Sequence, residues 1–558
     1  MLTARLDPGR ARCEAADYSK PGRYRARLAP CPGPRQPLAN RIALNLLRAA
    51  ATVSGLTLAS RVTGLARDLI ISRLFGASAE TDAFNVAFRL PNLLRRLFAE
   101  GAFQQAFVPI LAEVRSREGE SRTRQLVEHV ATALFWAVLA ASIIGVAAAP
   151  VLVWLVAAGL ARDPAAFDLA TLMTRWMFPY ILFMSLVALS AGVLNTFRRF
   201  AVPAVTPVLL NLSFIACALW LAPLLSRPIL ALAVAVVIGG VLQLAIQLPA
   251  LASIGMLPRL GGLRAALQDA AVRRILKLMV PALFAVSVAQ LSIVINTNIA
   301  SHLAVGAVTW LAFADRLMEF PTALLGVALG TVLLPSLARA SAETRYDEYS
   351  RLLDWGLRLT LLIALPAAVG LGLLAEAVIS VLFQGGRFAA HDVTQTAPAL
   401  VGYAFGLLGL IAVKILAPGF YARQDVRTPV KIAVVALLAT QASNLVLVPL
   451  LAHAGLAASV SVGALANAAM LLVGLRRRGL YVPSPGWPMF IAKVAVALVA
   501  LALVLWLGDR QVHWTAMQTQ WPLRAALLAG LVGGGAAVYG LVLWLLGFRP
   551  RDFVARTR

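Results

Sequence analysis

From Leu44 onward the chain alternates between apolar runs of about twenty residues or more and short polar gaps. An α-helix needs roughly 20 apolar residues to cross the hydrocarbon of a bilayer, and about fourteen runs are that long. They fall near 46–73, 80–114, 125–157, 167–197, 202–225, 229–255, 273–303, 306–338, 350–383, 393–421, 429–452, 455–475, 487–508 and 523–547. The gaps alternate in charge. One set is basic: Arg115 to Arg124, Arg198 with Arg199, Arg259 to Lys277, Arg339 to Arg351, Arg423 to Lys431, and Arg476 to Arg478. The intervening set is poor in basic residues, as in SHLAVG and LAHAG. Basic loops remain on the cytoplasmic side of a membrane. The alternation therefore predicts cytoplasmic placement for the first set and for both termini, and an even number of spans agrees. The pattern predicts an all-α polytopic membrane protein.

The gaps are too short to fold as soluble domains, so the activity lies within the membrane or at its edges. Residues 1–43 read as a basic arm rich in Arg, Pro and Gly, disordered or the product of a start site placed too early. The arm lacks the apolar core of a secretory signal. The rest divides into 44–262 (helices 1–6), 263–480 (helices 7–12) and 481–558 (helices 13 and 14 with a basic tail). FVPILAE at Phe107 echoes LLPSLAR at Leu333, and the Pro109/Pro335 and Pro203/Pro429 pairs share a separation of 226 residues. Two parallel six-helix halves fit this spacing, an arrangement that puts a transport site at the interface between them.

Composition narrows the chemistry. Hydrophobic residues make up 60% of the 558 and charged ones 13%, which no soluble class matches. The net charge of +25 would point to nucleic acid in a soluble domain. Here the basic residues sit mostly in the gaps, as topology signals and contacts for anionic lipid. Cys13, Cys31 and Cys217 form no CxxC, no Cys/His cluster occurs, and the five histidines are scattered. Neither a zinc site nor a catalytic constellation is readable from them.

Charge inside a span costs roughly 2.5–3.5 kcal/mol per group on insertion scales and usually marks a substrate path. The stretch Thr81–Pro109 carries Asp82, Arg89, Arg95, Arg96 and Glu100. At about 100° per residue Asp82, Arg89, Arg96 and Glu100 share a face. Arg95 lies off it unless Pro91 bends the helix. The first span adds Arg61, Arg67 and Asp68, the eighth Asp315, Arg316 and Glu319, and the tenth Lys414. Snorkelling or salt bridges that merely lock helices together would also account for several of these groups. Arginine and lysine outnumber carboxylates in these four spans, so the residues point to a transporter for an anionic, phosphate-bearing substrate, since arginine forks fit phosphate oxygens.

Five long motifs carry a resemblance: SRVTGLARD, TDAFNVAFRLPNLLRRLFAEGAFQQAFVPILAE, FADRLMEFPTALLGVALGTVLLPSL, DEYSRLLDWGLRL and KILAPGFYARQDVRTPVK. From about Leu44 to the C-terminus the chain resembles the MurJ (MviN-type) lipid II flippases of the multidrug/oligosaccharidyl-lipid/polysaccharide exporter superfamily. The resemblance implies fourteen helices in two six-helix lobes related by a pseudo-twofold, with two C-terminal helices forming a groove for a polyprenyl tail. The implied substrate is lipid II, the undecaprenyl-diphosphate-linked peptidoglycan precursor, moved from the cytoplasmic to the periplasmic leaflet of the bacterial inner membrane by alternating access. The implied cavity residues are Arg61, Arg67, Asp82, Arg95 and Arg316, surrounded by Asn92, Arg96, Glu100, Asp315 and Glu319, with Lys414 added from the residues themselves. Asp82 is expected to pair with a cavity arginine and help close an outer gate. No cofactor or metal is expected. The membrane potential, alone or with a bound ion, is the expected driving force. Membrane lipids and cell-wall synthesis proteins are the other partners implied, and nucleic acid is not. A related exporter of another polyprenyl-linked saccharide is the alternative. A polyprenyl-phosphate enzyme would need a carboxylate or histidine cluster at one face, and a scaffold would tolerate loss of the arginines.

Overall fold

The computed structural model describes the backbone of residues 38–96 and 103–549, with the side chains of 38–51, 284–286, 288, 289 and 323–332 outside the described set. The described residues are helical apart from turns and one isolated bridge between Gly385 and Phe388. In order the helices are α1 (Leu38–Phe75), α2 (Ala79–Leu94), α3 (Phe103–Ala147), α4 (Ala149–Val156), α5 (Pro164–Met177), α6 (Tyr180–Thr196), α7 (Ala201–Ala216), α8 (Leu230–Ala245) and α9 (Gln247–Ser253). They continue as α10 (Leu263–Gln268), α11 (Ala270–Ser301), α12 (Ala307–Ala342), α13 (Tyr346–Leu373), α14 (Ala375–Phe383), α15 (Ala390–Tyr421), α16 (Arg427–Arg477), α17 (Trp487–Asp509) and α18 (Trp521–Leu545). Nine helical stretches among the described residues are long and apolar enough to cross a membrane. α1 begins at Leu38, six residues before the expected boundary. Most of the basic arm lies outside the described residues.

The expected spans map onto single helices, halves of helices, or consecutive pieces. α3 is broken at Gly119 (φ 82°, ψ −174°), a conformation that glycine reaches without a Cβ clash. Both arms of α3 enter one apolar cluster with α6: Phe107, Ile110 and Leu111 from the first, Leu126, Val127 and Val130 from the second. α16 is broken at Ala452 (φ 49°, ψ −128°), which separates the two expected spans 429–452 and 455–475.

The 226-residue spacing of the prolines extends to the helix borders. Ala149 and Ala375 open α4 and α14, Pro164 and Ala390 open α5 and α15, and Ala201 and Arg427 open α7 and α16, each pair 226 residues apart. α1 packs on α7 as α11 packs on α16, and α2 packs on α5 as α12 packs on α15. α17 and α18 pack against each other and onto α13 and α14.

The halves are joined where the loops are poor in basic residues. Asn298 Nδ2 donates to Leu155 O (3.1 Å), the Gly159 amide to Ser301 Oγ (3.0 Å), and the Arg387 amide to Arg73 O (2.8 Å). Gly386 (φ 55°) is forced to be glycine twice over, because a Cβ there would lie 2.1 Å from Arg73 O. At the other end of the halves, the basic side, Asp269 caps α11 and holds Arg122 of α3 by two bonds (2.8 and 3.0 Å), with His129 Nδ1 at 2.7 Å.

Candidate transport cavity

Between the halves lies a cavity of about 1480 Å³ lined by α1, α2, α3, α6, α7, α8, α12, α13, α14, α17 and α18. Its polar wall begins with α1. Gly64 leaves room for α7 to approach, so that Asn211 Nδ2 would sit 3.4 Å from a Cβ placed there. Asn211 donates to Ser60 O (3.0 Å) and accepts from Arg67 Nη1 (3.1 Å). Arg67 also donates through Nε (2.9 Å) and Nη2 (2.7 Å) to Asp68 Oδ1 and lies over the Phe214 ring at 5.3 Å. Four contacts thus orient a guanidinium that is only 9% exposed. Asp68 Oδ2 faces Arg316 Nε of α12 at 3.7 Å, and Arg316 Nη1 reaches Glu319 Oε2 at 3.5 Å. One carboxylate therefore lies between two arginines from opposite halves.

α2 supplies the rest of the polar wall. Pro91 withholds an amide from the helix, and the last turn widens to a π-helical form at Arg95 and Arg96. That widening lets both neighbours line the cavity, although an ideal helix would turn Arg95 away. Asn92 Oδ1 accepts from Arg95 Nε (3.0 Å) and Nη2 (2.7 Å).

Of the residues expected from sequence, Arg61, Arg67, Asn92, Arg95, Arg96, Arg316 and Glu319 line this cavity together. Three others do not. Asp82 is buried and turned away from any cavity arginine. Its oxygens accept from the Gly306 amide (2.7 Å), the Thr309 amide (2.8 Å) and the Thr309 hydroxyl (2.6 Å). The expected Asp82–arginine pairing is replaced by a cap supplied from α2 to the first turn of α12. The physical reason is that those amides have no partner within their own helix. Asp315 is half-buried on α12 and is not among the residues that line the cavity. Arg89 and Asp315 are themselves 226 residues apart, on α2 and α12, which pack against each other. Lys414 donates to Thr322 O (3.1 Å), tying α15 to α12. Glu100 lies outside the described residues.

The sequence reading did not single out Asn211, Gln243 or Asn195, which also line the cavity. Each is a lone amide in an apolar run, and a polar amide inside a span is the signal that was available. The resemblance implied an apolar groove from the last two helices; in the structure Leu501 and Leu505 of α17 and Ala536 and Tyr539 of α18 share the cavity's apolar wall with Ile363, Pro366 and Gly370 of α13, which the sequence did not single out. The described lining carries five arginines (Arg61, Arg67, Arg95, Arg96, Arg316) against two carboxylates (Asp68, Glu319). Among the described residues no group of three or more His, Cys, Asp or Glu could hold a metal.

An all-helical bundle of two similarly built halves around a cavity, flanked by an accessory helix pair, is an architecture found among solved membrane transporters. Solved structures share the fold. One described as "Lipid II flippase MurJ, inward closed conformation" aligns at TM-score 0.75 and 23% identity over 90% of this chain and 99% of its own. An inward-facing multidrug resistance MATE family transporter of the MOP superfamily aligns at TM-score 0.64 and 13% identity over 77% and 98%. Sequence narrows the class. The family model described as "Lipid II flippase MurJ" matches residues 71–523. A "Lipid II flippase MurJ" of Burkholderia cenocepacia is 55% identical over 92% of this chain and all of its own length. A "Probable lipid II flippase MurJ" of Vibrio cholerae is 40% identical over 92% of this chain and 99% of its own. The chain belongs to the MurJ family.

Proposed function

We propose that the protein is a lipid II flippase of the bacterial inner membrane, multi-pass with both termini cytoplasmic. It moves an undecaprenyl-diphosphate-linked sugar-peptide from the cytoplasmic to the periplasmic leaflet by alternating access. The observation that carries this reading is one cavity with two kinds of wall: five arginines against two carboxylates on one side, and the apolar faces of α13, α17 and α18 on the other. A lipid-linked diphosphate needs both. Its oxygens match guanidinium forks, and its hydrocarbon tail matches an apolar wall that leads toward lipid.

In this reading Asp68 is a placeholder. It shares its charge between Arg67 and Arg316 until a diphosphate displaces it, after which Arg61, Arg95 and Arg96 add further donors. A polar head group cannot cross hydrocarbon unaided, and a cavity that replaces its hydration lowers that barrier. The lobes are tied at the end bearing the basic-poor loops, which the positive-inside rule assigns to the periplasm. Release there requires breaking the Asp82 cap and the neighbouring amide contacts, while the cytoplasmic end closes. No covalent bond is made or broken, and no cofactor is invoked. The membrane potential, alone or with a bound ion, supplies the driving force, and membrane lipids and cell-wall synthesis proteins are further partners.

The test uses cells depleted of their own flippase and supplied with this protein. Lipid II accessible at the outer face is measured for wild type and for Arg95→Ala and Arg316→Ala at matched expression. Wild type should restore accessibility, and each variant should lose at least about tenfold if one charge-assisted contact is worth about 1.5–3 kcal/mol. Failure of the wild type would redirect the reading to another polyprenyl-linked saccharide. Full activity of both variants would overturn the role given to the arginines.

A further inference from the structure

A second cavity, of about 430 Å³, lies on the far side of α13 from the first, between α13, α15 and α16. Its walls are apolar: Leu357 and Leu361 of α13, Leu408 and Leu416 of α15, Leu465 and Leu472 of α16. The two hydroxyls that touch it are already committed, Thr360 to Gly356 O (2.8 Å) and Tyr481 to Asp354 Oδ1 (2.9 Å). By volume it would hold about 14 waters at roughly 30 Å³ each, but a water needs two to four polar partners and this wall offers almost none. A dry void of this size would forfeit the packing contacts of all its lining atoms. An apolar occupant is required.

The shape says which one. From Leu465 to Arg476 the slot follows twelve residues of α16, about 16 Å end to end at 1.5 Å per step. That is close to half of a hydrocarbon core of roughly 30 Å, the depth of one leaflet. At the deep end α15 and α16 touch, for a Cβ on Gly409 would lie 2.7 Å from Ala464 C and Leu465 N. At the shallow end stand Arg476, Tyr481 and Trp487, beside the basic loop that follows α16. Aromatic side chains and a cation at this depth mark a head-group boundary. The neighbouring cations are engaged, Arg358 with Asp354 (2.9 Å) and Arg478 with Asp425 (2.6 Å), whereas Arg476 is exposed and pairs with no carboxylate among the described residues.

We propose that this slot binds a phospholipid of the leaflet bearing the basic loops, one acyl chain lying along α16 and the phosphate on Arg476. The lipid is a structural ligand of the second half, separate from the transported substrate. α13 is shared between the two cavities, since Leu357 and Leu361 face the slot while Ile363, Pro366 and Gly370 face the transport cavity. An occupied slot therefore fixes the position of a wall of the transport cavity.

The experiment is native mass spectrometry of the full chain released from detergent, after incubation with palmitoyl-oleoyl phosphatidylglycerol or with the phosphatidylcholine of the same chains. Wild type should retain one phosphatidylglycerol in preference to phosphatidylcholine. Ala469→Trp, at the lipid-facing rim of the slot, should abolish retention by filling it. Arg476→Ala should weaken phosphatidylglycerol retention about fivefold, the effect of one basic residue at a lipid surface, and Arg476→Lys should restore it. Equal retention by wild type and Ala469→Trp would overturn the slot. Loss in Ala469→Trp with no change in Arg476→Ala would overturn the phosphate contact. Melting temperatures of the three variants within a few degrees of wild type in detergent alone would show that the fold is intact, and a collapse confined to Ala469→Trp leaves the Arg476 pair to decide.

Discussion

Asp82 belongs to α2, yet its three hydrogen bonds go to the first turn of α12. A carboxylate at a helix N-terminus satisfies orphan amides and opposes the helix dipole. Asp82→Ala should therefore lower stability by about 2–3 kcal/mol, since it strands buried donors. Asp82→Asn should fall in between, because its one remaining oxygen cannot serve both the Gly306 and the Thr309 sites. Thermal melts of the purified protein in detergent test this, and equal melting temperatures for wild type and Asp82→Ala would sink it. Asp269 is the corresponding tie at the basic end. Burial alone would raise its pKa, but the bonds from Arg122, His129 and the Ala271 amide outweigh that and hold it below the usual carboxylate range. A carboxyl that is more acidic folded than unfolded gives stability that is complete above its unfolded pKa of 3.8 and drains away as pH falls below it. The melting-temperature gap between wild type and Asp269→Asn should thus narrow from about pH 5 toward pH 3. A gap that widens with acid would refute the assignment. Sequence placed Asp82 on one helical face with Arg89, Arg96 and Glu100, but the partner it meets was set by the packing of α2 on α12.

Two helices depart from regular geometry for different reasons. Pro91 and the π-turn after it aim Arg95 and Arg96 into one cavity. Pro91→Ala should let α2 run straight and turn Arg95 off that face, so transport should fall while folding is kept. Outer-leaflet lipid II accessibility, read beside a melting curve, separates the two effects. Ala452 has a positive φ without being glycine, in a hairpin where Gly455 already packs against Leu447 O. A non-glycine residue held there is strained by about 1–2 kcal/mol. Ala452→Gly should relieve part of that and leave the melting temperature equal or higher, whereas a clear drop would mean the backbone there is not strained. The proline and its kink were visible in the sequence. The break at Ala452 was visible only as the gap LAHAG between two apolar runs, because alanine ordinarily continues a helix.

At the scale of the whole molecule, the halves meet at both ends, through α2 and α12 at the end with basic-poor loops and through α3 and α11 at the basic end, with the cavity between them. The proposed alternating access requires the α2–α12 contacts to part. Asn85 Nδ2 of α2 lies 3.0 Å from Thr309 Oγ1 of α12. Cysteines at both positions, joined by a short reducible thiol cross-linker, should stop lipid II from reaching the outer face, and a reductant should restore it. Unchanged accessibility in the cross-linked protein would rule out separation of α2 from α12 as the outward step. The polar ties sit beside a shared apolar cluster in which Phe75 and Phe84 of the first half join Phe313, Phe383 and Phe388 of the second.

The order of apolar runs, the alternation of charge between them and the 226-residue echo were enough to define an all-helical membrane protein in two similar halves, because span length and loop charge are local properties of the chain. The arginines that line the cavity were also legible, since charge is too costly in a span to be placed there without a partner or a cavity. Only the tertiary structure decided which charges meet. It assigned Asp68 to two arginines and Asp82 to a helix cap, set Lys414 on a backbone carbonyl, and brought the apolar faces of α13, α17 and α18 to the same cavity. Those outcomes depend on helices distant in sequence, whose crossing geometry no single stretch encodes.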